Sequence, residues 1–168
     1  GDSSNNIYIA VDGGAVYKYD GSTCVQVATS SEDLNGIFGS NTTGEIYAVG
    51  DNGVVVYYNG TSWVSASEGS EDINAAWVSS AGNAYYAIDR GYTSACTLSS
   101  GGGSGTACTT TTTASTEDLD GISGSSKTDV LGVGKNGEVW SYDGSNWTAV
   151  SVTGNPGEDL EDVYAIDS

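Results

Sequence analysis

The chain of 168 residues contains no histidine and no methionine, a single proline, and Arg90 as its only arginine. Without histidine, the Ser-His-acid and Cys-His nucleophile systems are excluded. No phosphate-cradling glycine loop and no zinc-ligand spacing is present. Lysine and arginine number 4 against 22 aspartates and glutamates, a formal net charge of −18. Such a field repels phosphate backbones and anionic lipid, so nucleic acid and membrane surfaces are not expected partners. No apolar run approaches a membrane span, no signal peptide remains, and the missing initiator methionine points to a processed chain. Sustained helical periodicity is also lacking. What is abundant is Gly, Ser, Thr and Asn, which together with scarce lysine reads as an exported bacterial or archaeal surface protein. The length suits one domain or one compact array of repeats.

The array is legible. A motif Gly-x-Val-x-x-Tyr-(Asp/Asn)-Gly-(Ser/Thr)-x-(Trp/Cys) fits residues 14–24, 53–63 and 137–147, and a degenerate copy begins at Gly91. A second phrase places Glu-Asp before Leu or Ile four times: Glu32-Asp33, Glu71-Asp72, Glu117-Asp118 and Glu158-Asp159. Its period is roughly 40 residues, the range of four-stranded repeat units.

Each unit reads as four short strands, a to d. "DLNGIFGS", "EIYAVG", "VVVYY" and "TSWVSAS" carry the branched and aromatic residues that suit a pleated surface. Asn59-Gly60, Asp20-Gly21 and Asp143-Gly144 read as tight c–d hairpins of the kind that needs positive φ at both central residues. Four such units imply an all-β, four-bladed β-propeller with four antiparallel strands per blade. The blades would be 1–30 plus 158–168, 31–68, 70–115 and 116–153, in a single domain. The chain opens on a b strand and closes on an a strand, so its last strand is expected to join the N-terminal blade and close the ring. A ring of eight blades shared by two chains is the less favoured arrangement.

The phrases "DLNGIFGS", "EIYAVGDNG" and "VVYYNGTSW" resemble the secreted bacterial β-propeller repeats that run "dLxgvxg … dvyaVGdxGxixxydGxxW". The resemblance covers essentially the whole chain. It implies the propeller fold and leaves function open, because such repeats occur in adhesins, lectin-like modules and appendages of enzymes. "SYDGSNW" (residues 141–147) also resembles the Asp-box of sialidases, with one residue fewer between Asp143 and Gly144. That box is a structural turn, and the arginine cluster with which sialidase-like propellers grip a carboxylate is missing.

The cysteines follow the repeat register. Cys96 occupies the slot of Tyr58 and Tyr142, and Cys108 that of Trp63 and Trp147, so a Cys96–Cys108 disulfide is expected in place of a facing aromatic pair. It would stabilise by roughly 3 kcal/mol in the chain-entropy model and implies an oxidising compartment. Cys24 holds the Trp slot opposite Tyr19 and reads as a buried, inert thiol, the alternative being an intermolecular bridge or an attachment point.

Strand-a entries and b–c turns should open on one face, which would gather the four Glu-Asp pairs with Asp12, Asp51 and Asp89. Such an oxygen-rich rim would admit one cofactor, a hard cation such as Ca²⁺. The preferred, plainer reading has each Asp accept backbone hydrogen bonds in its own turn, with the Glu residues solvated. Asn41 and Asn146 head N-glycosylation patterns, as does Asn59, whose place in a turn marks it as turn chemistry. Thr109, Thr110, Thr111, Thr112 and Thr113 read as an O-glycosylation tract or, more commonly, an exposed polar β-edge. Trp63, Trp77, Trp140 and Trp147 could stack sugars, though aromatics in repeat register usually pack blade on blade.

The expected function is a non-catalytic extracellular structural or interaction protein at the cell surface, binding copies of itself or another surface protein. A subunit of an extracellular filament or pilus-like coat is one form. A carbohydrate-binding propeller is the alternative, and a glycoside-active enzyme using a carboxylate pair is the remaining one.

Overall fold

The computed structural model describes residues 6–42, 44–80, 82–97, 107–113, 115–154 and 157–166, without the side chains of 94–97 and 107–112. Among these residues every strand runs antiparallel to its neighbours, in four sheets. The first sheet has three strands, β1 (Ile7–Ala10), β2 (Ala15–Tyr19) and β3 (Cys24–Thr29). The second orders β4 (Leu34–Gly39), β5 (Ile46–Gly50), β6 (Val54–Tyr58) and β7 (Trp63–Ser67). The third holds β8 (Ile73–Val78), β9 (Asn83–Ile88), β10 (Tyr92–Thr97) and β11 (Ala107–Thr112). The fourth holds β12 (Leu119–Ser126), β13 (Asp129–Gly134), β14 (Val139–Tyr142) and β15 (Trp147–Ala149). No helix among the described residues is long and apolar enough to cross a membrane.

Alternation along the strands assigns each sheet two apolar faces, and the sheets stack face to face. Tyr47, Val49 and Val55 of the second sheet pack on Ile73, Ala84 and Tyr86 of the third. Trp77 and Tyr85 of the third pack on Val130 and Trp140 of the fourth. On its other face the second sheet meets the first, where Ala48 and Val56 pack with Val16, Tyr8 and Ala10. Residues buried on both sides of a sheet explain why β5 and β9 read as continuous apolar runs rather than alternating ones.

The hairpins depart from expectation in an informative way. The two successive left-handed residues expected at the c–d turns occur instead at the b–c turns. There Asn52 (φ 52°) precedes Gly53 (φ 68°), Asn136 (φ 57°) precedes Gly137 (φ 71°), and Arg90 (φ 58°) precedes Gly91 (φ 68°). A Cβ on Gly53 would stand 2.7 Å from the Gly69 carbonyl oxygen, so glycine is required there for space as well as for φ. The c–d loops of the first, second and fourth sheets are four residues long, and in them only the glycine is left-handed. Their leading Asp or Asn side chain organises the turn. Asp20 Oδ1 accepts from the N–H groups of Ser22 and Thr23, both at 2.9 Å, and Asn59 and Asp143 do the same in their loops. A side-chain acceptor replaces the second left-handed residue.

Closure by the C-terminal strand is not among the pairings of the described residues. The first sheet has three strands and the outer edge of β1 pairs with none of them. Residues 158–166 run beside β12 instead. The Leu160 N–H donates to the Gly134 carbonyl at 3.0 Å, and the Ala165 N–H to Ser123 Oγ at 3.0 Å. The period of a repeat counts strands and does not encode the angle between successive blades, and that angle decides how many close a ring.

Candidate functional site

One face of the array carries the conspicuous acids, as the repeat register implied, and the structure gives each a partner. The Asp of every Glu-Asp phrase reaches back to the preceding sheet and accepts the N–H of a left-handed residue in its b–c turn. Asp33 takes Gly13 at 2.7 Å, Asp72 takes Asn52 at 2.9 Å, Asp118 takes Arg90 at 2.9 Å, and Asp159 takes Asn136 at 3.0 Å. Acceptance within the Asp's own turn is thereby corrected, since the donor lies one blade back. The bond holds the Asp159 carboxyl below the usual carboxylate range, the Asn136 N–H being the main cause.

The Glu residues are not simply solvated. Glu32 accepts from Asn52 Nδ2 at 2.7 Å and Glu117 from Asn136 Nδ2 at 2.9 Å. Glu71 holds the guanidinium of Arg90 at 3.2 Å. The turns at Asn52, Arg90 and Asn136 are thus each held by the Glu of one phrase and the Asp of the next. Glu158 is exposed. No group of three or more His, Cys, Asp or Glu side chains among the described residues is arranged to hold a metal ion.

A second repeated contact was missed at the level of sequence. Asn35 Nδ2 donates to Asp51 at 3.0 Å and to the Ile73 carbonyl at 3.4 Å. Asn74 Nδ2 likewise donates to Asp89 and to the Leu119 carbonyl, both at 2.9 Å. In the fourth sheet the pair changes sign and type. Asp120 stands in the Asn slot and Lys135 in the Asp slot, 3.1 Å apart, with Asp159 at 3.5 Å and Glu161 at 3.8 Å from the ammonium. The hydrogen bond to Asp120 raises the Lys135 pKa above its ordinary value. Aligning the four b–c turns would have found this swap, because Lys135 is the one basic residue where the other units carry Asp12, Asp51 and Asp89. Asp89 itself has a raised pKa, mainly from burial.

Strands β4, β8 and β12 and residues 161–166 together line an open groove of ≈ 870 Å³. It is bordered by Asp120, Glu161 and Asp162 and by the apolar side chains of Ile37, Phe38 and Trp77. Tyrosines near the sheet interfaces are held neutral. Burial pushes the Tyr85 hydroxyl up to about 12, and burial followed by the Glu45 hydrogen bond does the same for Tyr57.

The aromatic pairs stand where the register put them. Tyr58 faces Trp63 and Tyr142 faces Trp147, each with ring centroids 5.2 Å apart. Trp77 and Trp140 are core residues. In β10 and β11 the backbone register sets Cys96 directly opposite Cys108, while their side chains lie outside the described residues. Cys24 is an exposed free thiol, not a buried one. It sits on the edge strand β3 of the first sheet, where no further strand covers it among the described residues. Asn41 and Asn146 are exposed. Thr113 is buried and donates to the Gly91 carbonyl at 2.6 Å, so it offers no hydroxyl for a glycan. The side chains of Thr109, Thr110, Thr111 and Thr112 lie outside the described residues.

No protein-family model and no curated protein matches the chain. Solved structures do. The WD40 β-propeller domain of Doa1 matches with a TM-score of 0.71 at 9% identity, over 95% of this chain and 53% of that one. The structure of U3-55K matches with a TM-score of 0.68 at 13% identity, over 94% of this chain and 50% of that one. YCF48 bound to a D1 peptide matches with a TM-score of 0.64 at 12% identity, over 89% of this chain and 50% of that one. At these identities the likeness concerns the fold alone, and the chain spans about half the length of the structures it matches. The chain is therefore an all-β array of β-propeller blades.

Proposed function

We propose that the protein is a non-catalytic interaction scaffold of the cell exterior, whose axial groove receives an extended, basic segment of a protein partner. The observation that carries this is how the acids are used. The repeated Asp residues, the most prominent candidates for acid-base chemistry, are each bound to a backbone N–H of the neighbouring blade. What remains open is a long groove with apolar walls and a carboxylate border, in a chain of net charge −18. That combination favours an extended chain carrying lysine or arginine. One matched structure is of YCF48 bound to a D1 peptide, which is the same kind of use. The exterior setting rests on composition and on the Cys96–Cys108 register, which suits a disulfide in an oxidising compartment. A surface coat or filament is the setting we favour.

Fluorescence polarisation with labelled extended peptides tests the reading. Basic peptides should bind, lose affinity as salt rises, and bind more weakly to Asp162→Asn. Binding confined to glycans on an array, or peptide binding indifferent to charge and to Asp162, would contradict it.

A further inference from the structure

Two parts of the molecule carry residues of a blade interior and are left uncovered. In β1, Ile7 and Ile9 stand in the register positions of Ala84 and Tyr86, which the neighbouring sheet buries completely. Ile7 is nevertheless 43% exposed and Ile9 40%. In the segment 160–166, Tyr164 takes the position of Trp77 and Phe38. Trp77 is 9% exposed in the core between sheets, whereas Tyr164 is 85% exposed and Ile166 77%. The segment already holds the place of an inner strand. A Cβ on Gly121 would meet the Asp162 Cα at 2.8 Å, the same close approach that Gly36 makes to the Asn74 carbonyl oxygen across the second and third sheets. What the segment lacks, among the described residues, is a b strand beside it. What β1 lacks is an a strand.

These deficits are complementary, because β4 to β5 and β8 to β9 show how an a strand and a b strand pair. Transferring the register Ile37↔Ala48 and Phe38↔Tyr47 sets Val163 opposite Ile9 and Tyr164 opposite Tyr8. The fourth sheet offers the matching face, with Leu131, Val133 and Val139 in the positions of Tyr47, Val49 and Val55. Within one chain the pairing is not made. The chain instead aligns with about half the length of the matched structures, a WD40 β-propeller domain among them. A second copy of the array would supply the remaining half of that length.

We infer that residues 160–166 of one copy pair with the open edge of β1 in a second copy, whose Ile7 and Ile9 close over Leu131 and Val139 of the first. Made twice, the join is two-fold symmetric and produces a single ring from two chains. It deepens the scaffold reading by naming a partner, a second copy, and by making the groove a sector of a closed channel. One contact in the join is unfavourable. Glu161 occupies the Asn35 and Asn74 slot and so meets Asp12, where the other units pair Asn35 with Asp51 and Asn74 with Asp89. Together with the net charge of −18 on each copy, this makes the association tighten as ionic strength rises.

Native mass spectrometry and light scattering of the 168-residue chain over a concentration series read the join. A two-chain mass at the upper concentrations is expected. Tyr164→Ala should weaken the association roughly 30-fold or more while the separated chain melts unchanged, since Tyr164 is exposed. Glu161→Asn should tighten it. In a Cys24→Ser background, mixing a chain bearing Ile9→Cys with one bearing Val163→Cys should give a covalent dimer under mild oxidation. Placing Ile9→Cys with Val152→Cys in the same mixture should give none. A single-chain mass at every concentration overturns the inference. So does a bridge formed within one monomer when Ile9→Cys and Val163→Cys share a chain, which would mark a closed four-bladed ring. Failure of the join leaves charge-dependent peptide binding to the groove as a separate measurement, and loss of peptide binding leaves the two-chain mass standing.

Discussion

Asp72 Oδ1 accepts the backbone N–H of Asn52 at 2.9 Å, and the two residues belong to different sheets. The bond recurs at every boundary between units and couples two features that are separate in sequence, the Glu-Asp phrase and the left-handed b–c turn. It is the polar counterpart of the apolar stacking between sheets. Removing it leaves a turn N–H without its charged acceptor and loosens the blade boundary.

Asp72→Ala should therefore destabilise the fold by about 1.5–3 kcal/mol, the range for a hydrogen bond to a charged group. Asp72→Asn keeps an acceptor and should cost less. Urea denaturation followed by tryptophan fluorescence measures both.

Arg90 adopts the left-handed conformation (φ 58°) that Asn holds at the equivalent turns. Its ion pair with Glu71 is solvent-exposed, the Arg90 side chain being 71% accessible, and exposed pairs contribute little. Arg90→Asn should stabilise by about 0.5–1 kcal/mol, because Asn tolerates this conformation and can reach Glu71 as Asn52 reaches Glu32. A loss of stability would mean that the guanidinium contributes more than its backbone costs.

The loop carboxylates set a pH dependence. Backbone N–H groups of their own loops hold Asp20 and Asp143 below the ordinary carboxyl value of 3.8, through Thr23 first at Asp20 and Asn146 first at Asp143. A depressed folded-state pKa gives stability that is present above the unfolded value and is lost as pH falls through the folded one. The melting temperature should thus fall below about pH 4. Asp20→Asn with Asp143→Asn should flatten that fall, because Asn59 shows that an amide supports the same loop.

The cysteines divide into two classes under this account. Cys24 is exposed and free, while Cys96 and Cys108 face each other across β10 and β11. A thiol-reactive dye should label one cysteine per native chain, and reductant should release two more on unfolding. Three reactive thiols in the unreduced, unfolded protein would remove the proposed disulfide.

Calcium should leave the melting temperature unchanged, and so should EDTA. The phrase acids are distributed one pair per boundary, with their Asp oxygens occupied by N–H groups. A rise with calcium that EDTA reverses would show a cation site on the acidic face.

Much of the fold was legible in the sequence because it is local. The aromatic slot that pairs Tyr58 with Trp63 also pairs Tyr19 with Cys24 and Cys96 with Cys108, each in the register that the repeat motif sets. The role of the Glu-Asp phrase was less legible, because its acceptor works across a blade boundary about 20 residues away rather than within its own turn. The Asp120–Lys135 exchange was hidden for a similar reason, each residue being ordinary alone and meaningful only as a pair. Exposure of Cys24 depends on what lies beyond β3. Ring closure depends on the angle between sheets. Neither leaves a trace in the spacing of residues.

Hydrogen–deuterium exchange at two protein concentrations tests the central claim most directly, namely that β1 carries an open edge filled by a second chain. The amides of residues 7–10 that face away from β2, and those of residues 160–166 other than Leu160, Val163 and Ala165, should exchange rapidly in dilute protein and become protected together as the concentration rises, with β5 and β9 protected throughout. Protection of both segments that is equal at every concentration, or exchange that stays rapid at all of them, would contradict it.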